Sequence, residues 1–169
     1  METVHQIANA VEPPDETEDS KNSLLHQELG PPICLPDDYL LFLRVFGAGS
    51  FNNHRYKLRV LDITRSPDSR TRTIFDSSLD WEPYTIGGRD YSCYPKMPGL
   101  LPWGCDDQGL TFFWLVDRAE PNWRTVTGRG DYLLHAFGMS DLMHECIFGT
   151  IPFYADGEFG DNIRFTPDS

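Results

Sequence analysis

Hydrophobic and polar positions form their clearest pattern over residues 100–117. The apolar run Leu100 to Gly104 and Cys105 lead into the acidic turn Asp106-Asp107-Gln108-Gly109, and Leu110 to Val116 is rich in aromatic and β-branched residues. This order is typical of two core strands joined at a hairpin. Glycine permits a positive φ in the turn, and aspartates there accept backbone hydrogen bonds. The pattern predicts two central strands and gives both acids a structural role.

Four segments repeat their apolar residues every three to four positions, the spacing of one helical face. These segments are residues 1–11, 21–29, 36–46 and 140–148. In the third, Pro36 is suited to a first helical turn and Gly47 to the position after the last turn. In the fourth, we expect Ser140 to cap the helix. Residues 64–81 are ambiguous, since Pro67 could open a further helix there.

Further strands are predicted by alternating or β-branched stretches. Residues 56–63 alternate in a way that places Lys57 and Arg59 on a solvated face, and 123–127 forms another strand. Residues 132–137 are one more strand or the approach to a helix. The glycines and prolines of residues 87–99 predict a surface connection.

Composition indicates one globular domain. The chain has 169 residues, of which 40% are hydrophobic and 13% aromatic, enough to build a core. It has no run of about 18 apolar residues and no basic, apolar leader. Its four cysteines form no CxxC pair, which favours free thiols in a reducing compartment. We therefore expect a cytoplasmic protein without a membrane segment.

The net charge of −12 is distributed unevenly along the chain. Residues 1–20 hold six acids and no lysine or arginine, and two prolines interrupt them, so we expect an acidic N-terminal arm and linker there and a single domain over 21–169. Residues 73–169 hold fifteen acids and six bases. This balance disfavours binding to a nucleic-acid backbone and favours attraction to a basic partner.

Catalytic and metal-binding patterns have little support in the sequence. Cys105, His135 and a turn aspartate could form a nucleophilic set only if the fold brought them within hydrogen-bond reach. His144, Glu145 and Cys146 are adjacent on a predicted helix, where neighbouring side chains point about 100° apart. An exposed turn also gives the pair Asp106 and Asp107 no burial to raise a pKa. We expect no enzymatic activity, no metal and no cofactor.

The order of these elements resembles the SUKH superfamily, which includes fungal cell-wall-synthesis and killer-toxin-resistance regulators and many bacterial immunity proteins. The resemblance covers roughly residues 22–150. It depends on these motifs: Glu28-Leu29-Gly30, Leu35 to Leu43, Gly47 to Ser50, Leu101 to Trp114, and His135 to Met143.

This resemblance implies an α+β fold with a central, mostly antiparallel sheet flanked by helices, and a binding role without a catalytic set. For a short bacterial-type member it implies an immunity protein that neutralises a polymorphic toxin by direct contact. The alternative is an intracellular scaffold or regulatory interaction domain related to the cell-wall-synthesis regulators.

A partner interface is predicted where acids on turns lie beside aromatic residues. A toxin with a basic surface, such as a nuclease, would be attracted to these acids, and aromatic residues supply binding energy at interfaces. The simpler interpretation is that the tryptophans are core residues and the acids are solvated turn residues. The candidate residues are Trp81, Glu82, Trp103, Asp106, Asp107, Tyr154, Asp156, Glu158 and Asp161.

Overall fold

A computed structural model of the protein describes residues 2–14, 23–53, 56–80, 82–118, 120–148 and 163–168, with residues 120–122 described by their backbone alone. The elements in chain order are α1 (Glu2–Ala10), α2 (Asp37–Phe46), β1 (Gly49–Asn52), β2 (Lys57–Val60), α3 (Ser69–Leu79), β3 (Tyr84–Ile86), β4 (Arg89–Cys93), β5 (Gly99–Asp106), β6 (Thr111–Asp117), β7 (Glu120–Arg129), β8 (Asp131–Leu134), α4 (Met139–Phe148) and β9 (Arg164–Pro167).

The described strands form one mostly antiparallel sheet in the order β8-β7-β6-β5-β2-β1-β9. Strand β4 adds to the sheet beside the start of β5 as its parallel neighbour, and it also pairs with β3. The predicted α+β class with a mostly antiparallel sheet and flanking helices is therefore confirmed. Among the described residues the longest helix has 11 residues, and none combines the length and apolar surface that a bilayer crossing requires.

The predicted central hairpin is confirmed as β5 and β6. Leu101 lies opposite Trp114, and Gly104 lies opposite Phe112 after a register shift at residues 102–104. Alternate residues of β6 face opposite sides of the sheet, as the period of a strand requires. Phe112 and Trp114 join the main core, whereas Phe113 joins a smaller cluster. The hairpin is thus buried on both faces.

Helices α1, α2 and α4 cover one face of the sheet and enclose the main core. On α2, Phe42 and Phe46 pack against Phe51 of β1 and Phe165 of β9, with ring centroids 5.2 to 6.4 Å apart. Its predicted end is also confirmed, because Gly47 has φ 74° and donates its N–H to the Leu43 carbonyl. The smaller cluster lies under the β3–β4 hairpin on the other face.

Residues 2–11, which we expected in an acidic arm, form part of this core. Val4, Ile7 and Val11 are each at most 2% exposed. The Thr3 hydroxyl also donates a 2.7 Å hydrogen bond to Asp141 on α4. Because its apolar residues lie on one face, α1 packs against the main core and is part of the domain. Residues 15–20 of the expected linker lie outside the described residues.

The helix predicted for residues 21–29 is wrong. The described part of this segment forms an isolated bridge between Leu24 and Cys34, with the Leu25 N–H donating to the Ile33 carbonyl. Gly30, at φ +156°, lies beside the Tyr94 ring, where a side chain would clash. The turn at Gly30 brings the chain back on itself, and so short a helix gains little from local hydrogen bonds alone.

Two further predictions for loops and caps are wrong. Residues 87–99 are not a simple surface connection, because Gly87 and Gly88 adopt positive φ and turn β3 into β4. Ser140 does not cap α4 but lies within its first turn. The ambiguous region contains α3, whose cap is Asp68: its carboxylate accepts the Thr71 N–H at 2.6 Å.

Arg59 also departs from the prediction that it faces solvent. Its side chain is only 9% exposed, and its Nη2 contacts Asp68 at 3.1 Å and Asp168 at 2.8 Å. Two carboxylates compensate the buried charge, which a lone buried arginine could not tolerate. Lys57, its neighbour on the same face of β2, is exposed as expected.

Candidate functional site

Trp103 is a core residue, so its prediction as an interface residue is wrong. It is 0% exposed, and its ring centroid lies 5.1 Å from that of Phe112 and 5.8 Å from that of Trp114. A side chain enclosed in this way cannot contact a partner without unfolding the hairpin. The remaining aromatic candidates, Trp81 and Tyr154, lie outside the described residues, as do Asp156, Glu158 and Asp161.

Glu82 holds the end of strand β4. Its carboxylate accepts the Cys93 N–H at 2.5 Å and the Lys96 ammonium at 3.3 Å. Burial alone would raise the pKa of Glu82, but the hydrogen bonds from Cys93 and Lys96 lower it below its usual value. This acid is therefore already engaged within its own segment.

Asp106 and Asp107 organise the central turn. One oxygen of Asp106 accepts the N–H groups of Gln108 and Leu110 at 2.8 and 2.7 Å. Asp107 is exposed and accepts the Lys57 N–H at 3.2 Å. The turn is also tied to Arg129, which donates to the Gln108 carbonyl at 2.6 Å. The structural role predicted for both acids is confirmed.

The structure does not bring Glu82 and the turn together. Glu82 bonds to Cys93, which pairs with Leu100 near the start of β5, whereas Asp106 ends that strand. Six residues of extended strand separate the two positions by about 20 Å. Glu82 and the turn therefore do not form one interface centre.

A concave surface lies elsewhere on the molecule. A cleft of about 600 Å³ lies between the start of α2, strand β7 and the segment that joins β8 to α4. We call it the helix-end cleft. It is lined by Cys34, Leu35, Pro36, Asp37, Asp38, Trp123, Arg124, Ala136, Phe137 and Gly138.

Acidic residues gather at this end of the molecule because helix starts meet there. Asp38 accepts the Ser140 N–H of α4 at 3.0 Å and the Tyr39 N–H of α2 at 2.9 Å. Asp141, in the first turn of α4, accepts the hydroxyl of Thr3 on α1. Carboxylates stabilise the positive ends of helix dipoles. The same local preference therefore concentrates negative charge beside the cleft.

The cleft has an aromatic wall anchored in the core. Trp123 and Phe137 are half-buried. The Trp123 ring meets that of Trp114 edge-on, with centroids 5.9 Å apart. The Phe137 carbonyl accepts both the N–H and the hydroxyl of Thr125 at 3.2 and 3.1 Å. Aromatic faces beside carboxylates are suited to the long side chains of lysine and arginine.

Gly138 sets how closely the two helix starts approach. A Cβ atom at this position would lie 2.9 Å from the Asp38 Oδ2 atom. A larger residue would displace the carboxylate that accepts the Ser140 N–H. The absence of a side chain at Gly138 thus leaves room for the Asp38 carboxylate to reach the start of α4.

Sequence reasoning missed this cleft. Asp37 and Asp38 had a sufficient explanation as acids in a first helical turn, and Trp123 had one as a strand residue. The residues that line the cleft come from three segments, 34–38, 123–124 and 136–138. The only local signal was a tryptophan immediately before an arginine in a strand, which is too common to predict a site.

The possible nucleophilic set is not assembled. Cys105 lies on β5 and His135 directly after β8, and three strand spacings of about 4.8 Å separate these strands. Burial raises the pKa of the Cys105 thiol to about 11 and lowers that of His135. The His135 Nε2 atom is 2.8 Å from the Thr127 hydroxyl. These two residues therefore do not form a catalytic dyad.

The adjacent residues His144, Glu145 and Cys146 do not converge either. The His144 Nδ1 atom is 3.9 Å from Glu145, and its ring packs on Phe148. Cys146 is 1% exposed, and burial raises its thiol pKa. Within the part of the chain that the structure describes, no three histidine, cysteine or acidic residues are grouped in a way that could hold a metal ion.

Comparisons of the chain with protein-family models, with curated proteins and with solved structures found no match.

Proposed function

We propose that this protein is a cytoplasmic immunity protein of the SUKH type, which neutralises a cognate polymorphic toxin by direct contact. The helix-end cleft receives basic side chains of the toxin. The observation that carries this proposal is the pairing of carboxylates with half-buried aromatic rings in one preformed cleft. The order of sequence motifs is a second, independent support.

The chemistry of the cleft suits a basic protein partner. Interface energy is concentrated where aromatic anchors are shielded from water, and Trp123 and Phe137 supply such anchors. The net charge of −12 attracts a basic surface over long range and raises the rate of association. Toxins that act on nucleic acids carry such a surface because they bind phosphates. The cleft therefore offers both attraction and a place to bury a side chain.

Binding is favoured over catalysis by the chemistry of the described residues. Cys105 and Cys146, the thiols of the possible nucleophilic and metal-binding sets, have raised pKa values and stay protonated near neutral pH. His135, the candidate base, is held by Thr127. An immunity protein needs none of these groups to react.

The test pairs the protein with the toxin domain encoded in the adjacent reading frame. We expect co-expression to rescue growth and the purified proteins to form a 1:1 complex. Asp37→Lys and Trp123→Ala should each weaken the complex at least tenfold, which corresponds to about 1.4 kcal/mol. Asp37 is exposed and Trp123 half-buried, so circular dichroism and thermal unfolding will establish that both variants fold.

The matched control is Asp76→Lys, which makes the same charge change at an exposed position of α3. It should leave the affinity within about twofold, since rim charges away from the contact act mainly through long-range attraction. Equal weakening by all three variants would contradict a role for the cleft. Absence of rescue and of any complex would contradict the immunity function and favour the regulatory alternative.

A further inference from the structure

A buried polar cluster lies behind the aromatic wall of the helix-end cleft. Thr125 and Thr127 of β7 are 0% and 1% exposed, and His135, which directly follows β8, is 8% exposed. Thr125 lies opposite Trp114, and Thr127 lies opposite Phe112. Residues opposite each other in a sheet point to the same face. The two threonines therefore point to the main core, where apolar side chains are the rule.

This cluster holds the connector, residues 135–138, which leads from β8 into α4. The Thr125 carbonyl accepts the His135 N–H at 2.8 Å, and the Phe137 carbonyl accepts the N–H and the hydroxyl of Thr125. The His135 Nε2 atom lies 2.8 Å from the Thr127 hydroxyl. A buried polar network whose members are hydrogen-bonded fixes one arrangement of the chain. The connector is therefore held against β7 in a single position.

The His135 ring also supports Phe137 directly. The two ring centroids are 5.2 Å apart, and the ring planes are inclined by 32°. Phe137 and Gly138 line the cleft, and the Ser140 N–H just beyond them is bonded to Asp38. Because the connector is so short, a displacement of His135 also displaces the Phe137 wall.

The surroundings of His135 favour the neutral ring. None of the charged or titratable side chains described on the neighbouring elements changes its pKa, which burial lowers. These side chains are Arg124 and Arg129 on β7, Asp141, His144 and Glu145 on α4, and Asp38 at the start of α2. A buried imidazolium without a carboxylate partner is costly, so a protonated ring has to move toward water.

We propose that His135 is a positioning residue for the helix-end cleft and that its protonation displaces the Phe137 wall and weakens partner binding. This regulation rests on the proposed toxin binding. The arrangement that binds contains neutral His135, whereas a displaced, hydrated ring takes up a proton near the ordinary histidine pKa of about 6.5. As the pH falls below that value, proton binding favours the displaced arrangement. The complex is therefore tight at neutral pH and weaker in acid.

Amide hydrogen exchange of the full chain tests this coupling without any partner. Protection factors, which are corrected for the intrinsic effect of pH, measure the opening of individual N–H groups. The Thr125 N–H, which donates to Phe137, should lose protection at least tenfold between about pH 7.5 and about pH 5.5. The Leu61 N–H, which donates to Trp103 in the centre of the sheet, should change less than threefold. Equal losses at both sites would show a general loss of stability and overturn the local displacement.

His135→Gln separates the charge of this residue from its support of the connector. Glutamine can bond to the Thr127 hydroxyl but takes up no proton in this range. Protection at Thr125 should therefore match the unmodified chain at about pH 7.5 and stay within threefold of that value on acidification. The matched control, His144→Gln, replaces a half-buried histidine of α4 and should keep the tenfold loss. A tenfold loss that persists in His135→Gln would overturn the role of His135.

The complex with the toxin domain of the adjacent reading frame gives the second readout. Between about pH 7.5 and about pH 5.5 the Kd of the unmodified chain should rise at least fivefold, and that of His135→Gln less than twofold. Both complexes share the titration of the toxin, so the difference between them comes from His135. Equal increases would overturn the regulation and leave the immunity function in place. Absence of any complex at neutral pH would instead contradict the immunity function, and the exchange measurement alone then decides whether His135 positions the cleft.

Discussion

The carboxylate of Asp38 accepts N–H groups from two helices whose first turns are 102 positions apart along the chain. A side-chain acceptor at a helix start satisfies a donor that the helix itself cannot. The Asp38 carboxylate accepts one such N–H group from α2 and another from α4. This arrangement fixes the floor of the helix-end cleft, so a change at Asp38 acts on stability and binding at once.

Replacement of this residue tests the shared acceptor. Asp38→Ala should lower the free energy of unfolding by about 1–2 kcal/mol, the usual cost of losing a helix cap. Urea unfolding followed by circular dichroism measures the difference. Asp37→Ala is the matched control, since Asp37 is exposed and should cost no more than about 0.5 kcal/mol. Equal losses at both positions would contradict the special role of Asp38.

At the scale of the element, helix α1 shows how an amphipathic segment becomes part of a domain. Val4 and Ile7 are 0% exposed, and both belong to the main core with residues of α2 and α4. Because a nine-residue helix is only marginal in water, its order comes from this packing. The acids around it therefore do not make it a free arm.

The contribution of α1 can be measured directly. Ile7→Ala should destabilise the protein by about 2–4 kcal/mol, as expected for removal of a fully buried aliphatic side chain. Glu2→Ala, at the start of the same helix, should cost less than about 1 kcal/mol. Chemical unfolding of both variants provides the comparison. A change below about 0.5 kcal/mol for Ile7→Ala would show that α1 does not share the cooperative core.

The elements predicted correctly from the sequence are those whose signals are local. The hairpin of β5 and β6 could be predicted because its arms are apolar and its turn contains Asp106 and Gly109. Helix α2 could be predicted because Pro36 and Gly47 mark its ends. Arg59 was misplaced because strand alternation cannot show that two distant carboxylates come to meet it.

The candidate site could not be predicted for the same reason. Tryptophan is a residue type that is common at interfaces, but the position of Trp103 on β5 directs its side chain into the core. Nothing in the strand sequence around Trp123 distinguishes it from other strand residues. Trp123 becomes one wall of a cleft because α2 and the segment before α4 pack close to it. Sites formed by tertiary contacts leave little trace in local patterns.

At the scale of the whole molecule, two surface recesses mix charges of opposite sign. The helix-end cleft is lined by Asp37 and Asp38 of α2 and by Arg124 of β7. A second recess, beside α3, is lined by cationic residues together with the two turn aspartates. The net charge of −12 therefore does not describe the local surface at either place.

The pH dependence of folding follows from buried groups. Burial lowers the pKa of His135, so the unfolded state binds a proton at a higher pH than the folded state does. Stability from neutral His135 is therefore present above its unfolded pKa of about 6.5 and is lost as pH falls below that value. We expect the free energy of unfolding to fall as the pH is lowered below about 6.5.

His135→Gln is the variant that identifies the source of this loss. Glutamine cannot be protonated and can still bond to the Thr127 hydroxyl, so the decrease in stability over this interval should be smaller than in the unmodified protein. Urea unfolding at several pH values measures it. Identical slopes for the two proteins would assign the loss to other groups.

A partner can bind the helix-end cleft only after the chain has folded. Its walls come from residues 34–38, 123–124 and 136–138, so no short stretch of the chain can present them before the sheet has formed. A partner that binds there recognises the native state alone and stabilises it by mass action. The lifetime of the protein against proteolysis would then depend on the supply of its partner, because the bound form is withdrawn from the unfolding equilibrium.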